Sequence, residues 1–458
     1  MTVGTSTSIN VPSRVLRLPA DRWLVAGALV LALALRVAIV VATRAHYVPV
    51  NDSFDFMRIA TSIKSGHGFG STVVPGAHGP SAFRTPLYPA LLALVFSVTG
   101  VSVTAARLFT VVVSTAFVAS LGALGWRLGG RRVGLVCLFG SALYPPFLLA
   151  SYGLQYEVVF LLLTCLALLA ALQWRQEPDR IWLLAAAGLL TGLAILCRET
   201  AALVLVPTWL FVWQQRSRMS GRRLAGLLAL VTAGAMVVVA PWTIRNAVTI
   251  HAFIPVSDSP QEALAGSYNA TTAADSANLG RWTVPYDDPT DYQLFKALGP
   301  SPTEEQIMST YQSAALRYAS NRPGYVLELA AWNTVRLFDL RGFQDATYLA
   351  PYVPWNIRLV KLSVVSFWVL APLGILGLFT RRGRQIPKSL WTYPVLVYLV
   401  LVLTTADIQY RVALEPFFLL LAAMAVVAAY ERRRPPPFTR QGATEEGVEG
   451  SPTVTRQP

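Results

Sequence analysis

The sequence has 458 residues, of which only 14% are charged and 54% are hydrophobic, and its mean hydropathy is +0.49. Soluble domains carry about 25% charge, so a soluble enzyme is excluded. The net charge of +14 would suggest nucleic acid in a soluble chain, but here the Lys and Arg lie between apolar runs, where they report membrane topology.

The first apolar run, 23–43, follows Arg14, Arg17 and Arg22 and is longer than the apolar region of a signal peptide. It reads as a retained anchor, with residues 1–22 in the cytoplasm. Further runs at 103–126, 133–150, 155–173, 181–197, 200–215, 224–242, 359–380, 389–405 and 412–430 give about ten transmembrane helices in residues 23–430, with both ends inside. The expected fold class is therefore an all-α polytopic membrane protein. Basic clusters decide its orientation. Arg127, Arg131 and Arg132; Arg175 and Arg180; Arg216, Arg218, Arg222 and Arg223; Arg381, Arg382, Arg384 and Lys388; and Arg432, Arg433 and Arg434 all fall on one side. The short opposite connections hold only Arg198 and Arg411. Arg36, inside the first run, is expected to snorkel to the headgroups. Residues 431–458, rich in Pro, Gly, Thr and Glu, read as a disordered cytoplasmic tail.

Two external segments remain, 44–102 and 243–358. Within the first, Pro86 to Thr99 would cover only about 21 Å of a core about 30 Å thick, so it is expected to lie on the outer surface. Phe56, Ile59, Ala60 and Ile63 recur at i, i+3, i+4 and i+7, the pattern of an amphipathic surface helix. In the second segment, Tyr311, Ala315, Tyr318, Val326, Leu329 and Trp332 predict a small helical domain within 303–341.

Asp52 stands directly before the surface helix and Asp55 one turn inside it. One reading makes Asp52 an N-cap and Asp55 a favourable charge at the helix dipole. The other makes Asp52 a carboxylate held at the membrane surface as a general base. Glu157, near the start of the fourth run, either contacts a substrate or pairs with Arg198. The four histidines and Cys137, Cys165 and Cys197 lack ligand spacing, and Gly66, Gly68 and Gly70 follow no strand. Neither a histidine metal site, a disulfide framework nor a phosphate loop is expected.

Asp52-Ser53-x-x-Phe56, Ala60, Gly66-His67-Gly68-Phe69 and Arg84-Thr85-Pro86-Leu87-Tyr88-Pro89 stand in order in the first external segment. Tyr144-Pro145, Ser151, Glu157, Gly188 to Leu196 with Arg198, Pro241-Trp242 with Arg245-Asn246, and Tyr410-Arg411 with Pro416 follow. Over residues 23–430 this set resembles the family 39-type GT-C glycosyltransferases, which include protein O-mannosyltransferases and the aminoarabinose transferase of lipid A. Many members carry an acidic pair in the first loop, whereas Ser53 follows Asp52 here. A second carboxylate would be Asp55 or a distant residue.

The resemblance implies inverting transfer of a sugar from a polyprenyl-phosphate donor to an acceptor glycan, lipid or protein. The reaction would take place at the outer face of the inner (plasma) membrane, with no nucleic acid involved. It makes Asp52 the base, with Asp55 or a distant residue as the second carboxylate. Charge building on the departing phosphate needs a cation, for which Arg411 and Arg198 come first and Arg84 and Arg245 next, against snorkelling as their plain role. Glu157, Tyr88 and Tyr410 are the expected substrate contacts. No cofactor is expected, and a divalent metal has little support in the sequence. A transporter or lipid flippase and a polysaccharide polymerase or ligase are the alternatives. The first lacks the expected half-to-half repeat.

Overall fold

The computed structural model describes residues 21–348 and 356–433. The expected disordered tail beyond Arg433 and the cytoplasmic residues before Asp21 lie outside the described residues. Within them the chain is helical, and the only extended pairings are two isolated bridges, Ser71 with Pro80 and His78 with Thr303.

Helix α1 (Asp21–Ala42) is followed by the short external helices α2 (Asp52–Lys64) and α3 (Leu87–Thr99). Then come α4 (Val103–Gly129), α5 (Arg131–Leu143), α6 (Pro145–Tyr152), α7 (Glu157–Gln176), α8 (Trp182–Ile195), α9 (Leu205–Trp213) and α10 (Gly221–Thr249). The second external segment carries α11 (Ser259–Ser267), α12 (Ala270–Ala274), α13 (Pro289–Ala297), α14 (Glu304–Asn321), α15 (Pro323–Leu337) and α16 (Gln344–Tyr348). The chain returns through α17 (Ile357–Leu378), α18 (Arg381–Gln385), α19 (Thr392–Leu403), α20 (Ile408–Arg411) and α21 (Glu415–Arg432).

Five of these, α1, α4, α7, α10 and α17, are long and apolar enough to cross a bilayer. The pair α5 and α6 makes a sixth if the 50° bend between them is taken as a break within one span. That bend falls at Tyr144-Pro145-Pro146, where proline removes backbone donors. Each of the ten expected runs coincides with helix. However, α8 with 14 residues and α19 with 12 are shorter than a full span, and α9 is entered through a 3-10 stretch, Glu199–Val204. Helices pack most closely where the sequence provides glycine: a Cβ on Gly188 of α8 would overlap the Val231 carbonyl of α10, and one on Gly377 of α17 the Leu421 carbonyl of α21.

Arg36 does not snorkel. It is 1% exposed and turned into the bundle, where Nε donates to Ser114 Oγ at 2.8 Å and Nη1 to the Ala32 and Ala142 carbonyls at 3.1 Å. A guanidinium in the middle of α1 would have to reach a bilayer surface to be hydrated, and the carbonyls at the α5–α6 break satisfy it instead.

The two external segments form one body. Tyr311, Ala315 and Leu329 are buried, as the helical spacing predicts, and Thr303 caps α14 through a reciprocal box with Gln306. Glu304 ties this body to the first segment, because its carboxylate accepts from Ser81 Oγ at 2.8 Å, from the Ala82 amide at 2.6 Å and from Thr72. Arg245, on the last turns of α10, donates to the Ser81 carbonyl at 2.7 Å, and the adjacent Asn246 to the Ile254 carbonyl at 3.0 Å. Beside Glu304 lies Asp258, 1% exposed, with neither carboxylate oxygen partnered among the described residues. Burial, then the Glu304 charge, pushes its carboxyl up to about 8.

Candidate active site

Asp52 is the first residue of α2, not its cap. The cap position belongs to Asn51, whose φ of 47° is a left-handed conformation and whose side chain makes no capping bond. The helix is fixed from its apolar side, where buried Phe56 meets Tyr88 edge-on at 5.1 Å and Tyr156 at 5.8 Å. This leaves Asp52 and Asp55 turned toward Arg84. Its Nη2 lies 2.7 Å from Asp52 Oδ1 and 2.7 Å from Asp55 Oδ2, and Nε donates to Asp55 Oδ2 at 3.0 Å. The guanidinium also stacks over Phe83 at 4.7 Å.

The Asp52 side chain is 41% exposed and that of Asp55 only 17%. Burial raises the Asp55 carboxyl above its ordinary value against the opposing pull of Arg84. From the other external segment, Glu262 of α11 feels the same three charges. Burial pushes it up to about 7, Arg84 opposes the rise, and Asp52 and Asp55 add to it. Two carboxylates thus clamp one guanidinium, and the charge of a third, Glu262, reaches it through space. Among the described residues no group of three His, Cys, Asp or Glu is arranged to hold a metal.

Arg198 follows α8 in an extended conformation and is 6% exposed. It sits against the rings of Tyr410 at 5.1 Å and Phe160 at 5.4 Å. No carboxylate pairs with it among the described residues, and its Nη1 has no hydrogen-bond partner there. Glu157, at the first turn of α7, is 4% exposed with Oε2 unpartnered. It makes no direct ion-pair contact with Arg198, although the Arg198 charge acts on it through space. With Gln155, Leu149, Ser363, Ile408 and Gln409 it lines a cavity of about 20 Å³, room for roughly one water. Asp52 is close enough for its charge to act on Glu157, Tyr156 and Tyr410. The Arg198 charge acts on the same three residues, so the acid end and the cation end share these neighbours.

Other expected contacts lie elsewhere. Arg411 is not at an exposed helix end: it is fully buried, with Nε donating to Glu415 at 2.8 Å, Nη1 to the Leu337 carbonyl at 3.0 Å and to Asp339, and Phe367 3.9 Å from its guanidinium. Two carboxylates already hold it inside the protein, and only its Nη2 is without a partner among the described residues. Tyr88 is 0% exposed with its hydroxyl 3.2 Å from Thr110, which makes it a support for Phe56 and not a substrate contact. Arg245 is engaged by the Ser81 carbonyl and the ring of Trp242 at 4.8 Å, and Arg84 by its two acids. Both hold the site together. Sequence reasoning missed Glu262, which has no motif around it, and Tyr156, which stood beside Glu157. It also missed Asp339 and Glu415, although the four-residue spacing from Arg411 to Glu415 was visible.

The fold is similar to that of the oligosaccharyltransferase AglB of the archaeon Archaeoglobus fulgidus. Its complex with an inhibitory peptide and a dolichol-phosphate matches at 13% identity and a TM-score of 0.54, over 90% of this chain and 51% of that one. Its crystal form with zinc and sulfate matches at 13% identity and a TM-score of 0.52, over 89% and 49%. The chain thus spans about half the length of these proteins. ArnT of Cupriavidus metallidurans bound to undecaprenyl phosphate matches at 15% identity over 90% of this chain and 79% of that one, but its TM-score of 0.43 is too loose to argue from. The chain is a membrane protein with the fold of the GT-C glycosyltransferase superfamily. Within it, the family model described as dolichyl-phosphate-mannose-protein mannosyltransferase matches residues 83–244, the stretch that holds Arg84, Glu157 and Arg198. No protein of curated function matches by sequence.

Proposed function

We propose that this protein is a glycosyltransferase that moves a sugar from a polyprenyl-phosphate donor to a hydroxyl of an acceptor glycan, lipid or protein, inverting the anomeric carbon. The observation that carries this reading is Arg198, a buried guanidinium with no ion pair, near a half-exposed Asp52. A buried cation without a direct ion pair is costly, and a lipid phosphate entering from the bilayer would relieve that cost. The dolichol-phosphate in the AglB complex and the mannosyltransferase family match point to the same donor class.

In the reaction, the acceptor hydroxyl attacks the anomeric carbon while Asp52 takes its proton. The bond to the phosphate oxygen breaks, and its electron pair leaves with the lipid phosphate. Arg198 stabilises the charge that accumulates there. Arg84 holds and aims Asp52, and the unpartnered Oε2 of Glu157 would accept from a donor-sugar hydroxyl. Tyr410, stacked on Arg198, walls the phosphate end. The one-sided basic clusters support a placement of this face outside the plasma membrane, with both termini in the cytoplasm.

Purified protein supplied with a labelled polyprenyl-phosphate sugar should cleave the sugar–phosphate bond and release lipid phosphate. A transporter or flippase would leave that bond intact in every fraction, which would overturn the proposal.

A further inference from the structure

Tyr410 and Arg411 are neighbours on α20, a helix of only four residues between Ile408 and Arg411. Successive helical residues point about 100° apart, and these two serve different partners. Tyr410 lies against Arg198, with the guanidinium 5.1 Å from its ring. Arg411 turns into the protein and joins three other elements: Glu415 of α21 at 2.8 Å, the Leu337 carbonyl at the end of α15 at 3.0 Å together with Asp339 just beyond it, and Phe367 of α17 at 3.9 Å. Arg411 and Glu415 are 0% exposed and Asp339 1%.

Such a cluster is a poor source of stability. Three desolvated charges are often no better than well-packed apolar side chains, and Asp339 additionally sits at φ 52°, a conformation unfavourable for a residue with a Cβ. Oδ1 of Asp339 and Oε2 of Glu415 have no hydrogen-bond partner among the described residues, so the cluster is not saturated either. What it does achieve is geometric. A one-turn helix cannot fix its own orientation, because it has almost no internal hydrogen bonds. The planar fork of Arg411 locks it from two directions.

We infer that Arg411 is a positioning residue. Held by Asp339 of the external body and Glu415 of the membrane bundle, it orients α20 so that Tyr410 closes the pocket around Arg198. The external body, through Asp339, is thereby coupled to the phosphate end of the site. This rests on the proposed donor reading for its functional meaning, but not for its structural content.

Asp339→Asn is the informative variant, since Asp339 is 71 positions from Tyr410 in sequence and reaches α20 through Arg411. Fluorotyrosine incorporated at position 410 reports the ring's surroundings by fluorine NMR without any ligand. Its resonance should move in Asp339→Asn and in Arg411→Lys, and should stay in place in Asp288→Asn, an acid of the same external body that caps α13 instead. In the folded fraction of the first two variants, affinity for polyprenyl phosphate should fall about tenfold. Adding Tyr410→Ala should cost nothing further, because both changes disable one element. An unmoved resonance, unchanged affinity in the folded protein, or losses that add would each overturn the inference. If the resonance moves but the unsubstituted protein does not bind polyprenyl phosphate, the positioning role stands and the donor reading falls. Should Arg411→Lys fail to fold, Asp339→Asn carries the test alone, since asparagine keeps the shape and an acceptor.

Discussion

Asp55 is bound to Arg84 twice, through Nε at 3.0 Å and Nη2 at 2.7 Å to the same oxygen, whereas Asp52 meets that guanidinium once, at 2.7 Å. The less tethered and more exposed carboxylate is the one an acceptor from water can reach. Asp52→Asn should therefore lower turnover at least about a hundredfold, the scale of general-base assistance, with donor binding and folding nearly intact. Asp55→Asn should chiefly loosen Arg84 and cost less turnover. Single-turnover rates with saturating donor would decide, and a larger loss at Asp55 would move the base one turn along α2.

Arg198 should behave oppositely to a structural arginine. Removing a buried cation without an ion pair lifts a desolvation cost, so Arg198→Gln is expected to melt at the same temperature or higher. Its affinity for polyprenyl phosphate should fall about 10- to 100-fold, the range for a hydrogen bond to a charged group. A lowered melting temperature with unchanged affinity would return Arg198 to the scaffold.

The external body should lose stability as pH rises from acid through neutral. With its carboxyl pushed up to about 8 from an ordinary 3.8, Asp258 keeps a proton in the folded state that the unfolded chain has already released. The folded state then binds more protons, so stability falls as pH rises from about 4 to about 8. Glu262 and Asp291, each pushed up to about 7, first of all by burial, add to the same slope at its lower end. Asp258→Asn should flatten the dependence of melting temperature on pH and raise it at pH 8. Parallel curves for the two proteins would remove Asp258 from this role.

The orientation can be read by labelling. Cys137, Cys165 and Cys197 are all buried and can be replaced to give a cysteine-free background. Cysteine at exposed Ser276 should react with an impermeant thiol reagent in intact spheroplasts, and cysteine at exposed Ser220 should not. The reverse result would put the acid site on the cytoplasmic side.

Periodicity and apolar run length made the helices legible, because a bilayer demands long uninterrupted apolar segments and an amphipathic helix must repeat near 3.6. Asp52, Asp55 and Arg198 stood out as charges beside such segments. The partners of the arginines were not legible. Arg36, Arg245 and Arg411 are all basic residues near apolar runs, and nothing local distinguishes one that reaches solvent from one that meets a carbonyl or a carboxylate distant in the chain. Glu262 was hidden for the same reason: its neighbours are Asp52, Asp55 and Arg84, some two hundred residues away, and only folding brings the two external segments together.

Helix α10 has 29 residues, which at 1.5 Å per residue is about 43 Å, against a hydrocarbon core of about 30 Å. About two turns of the surplus, residues 243–249, form the end that carries Arg245 and Asn246 and through them grips both external segments. The helix therefore acts as a mast of fixed height. In the proposed reaction it would fix how far beyond the apolar span the carboxylates stand, and so how long the polar head of a lipid-anchored donor must be for its reactive bond to arrive beside them.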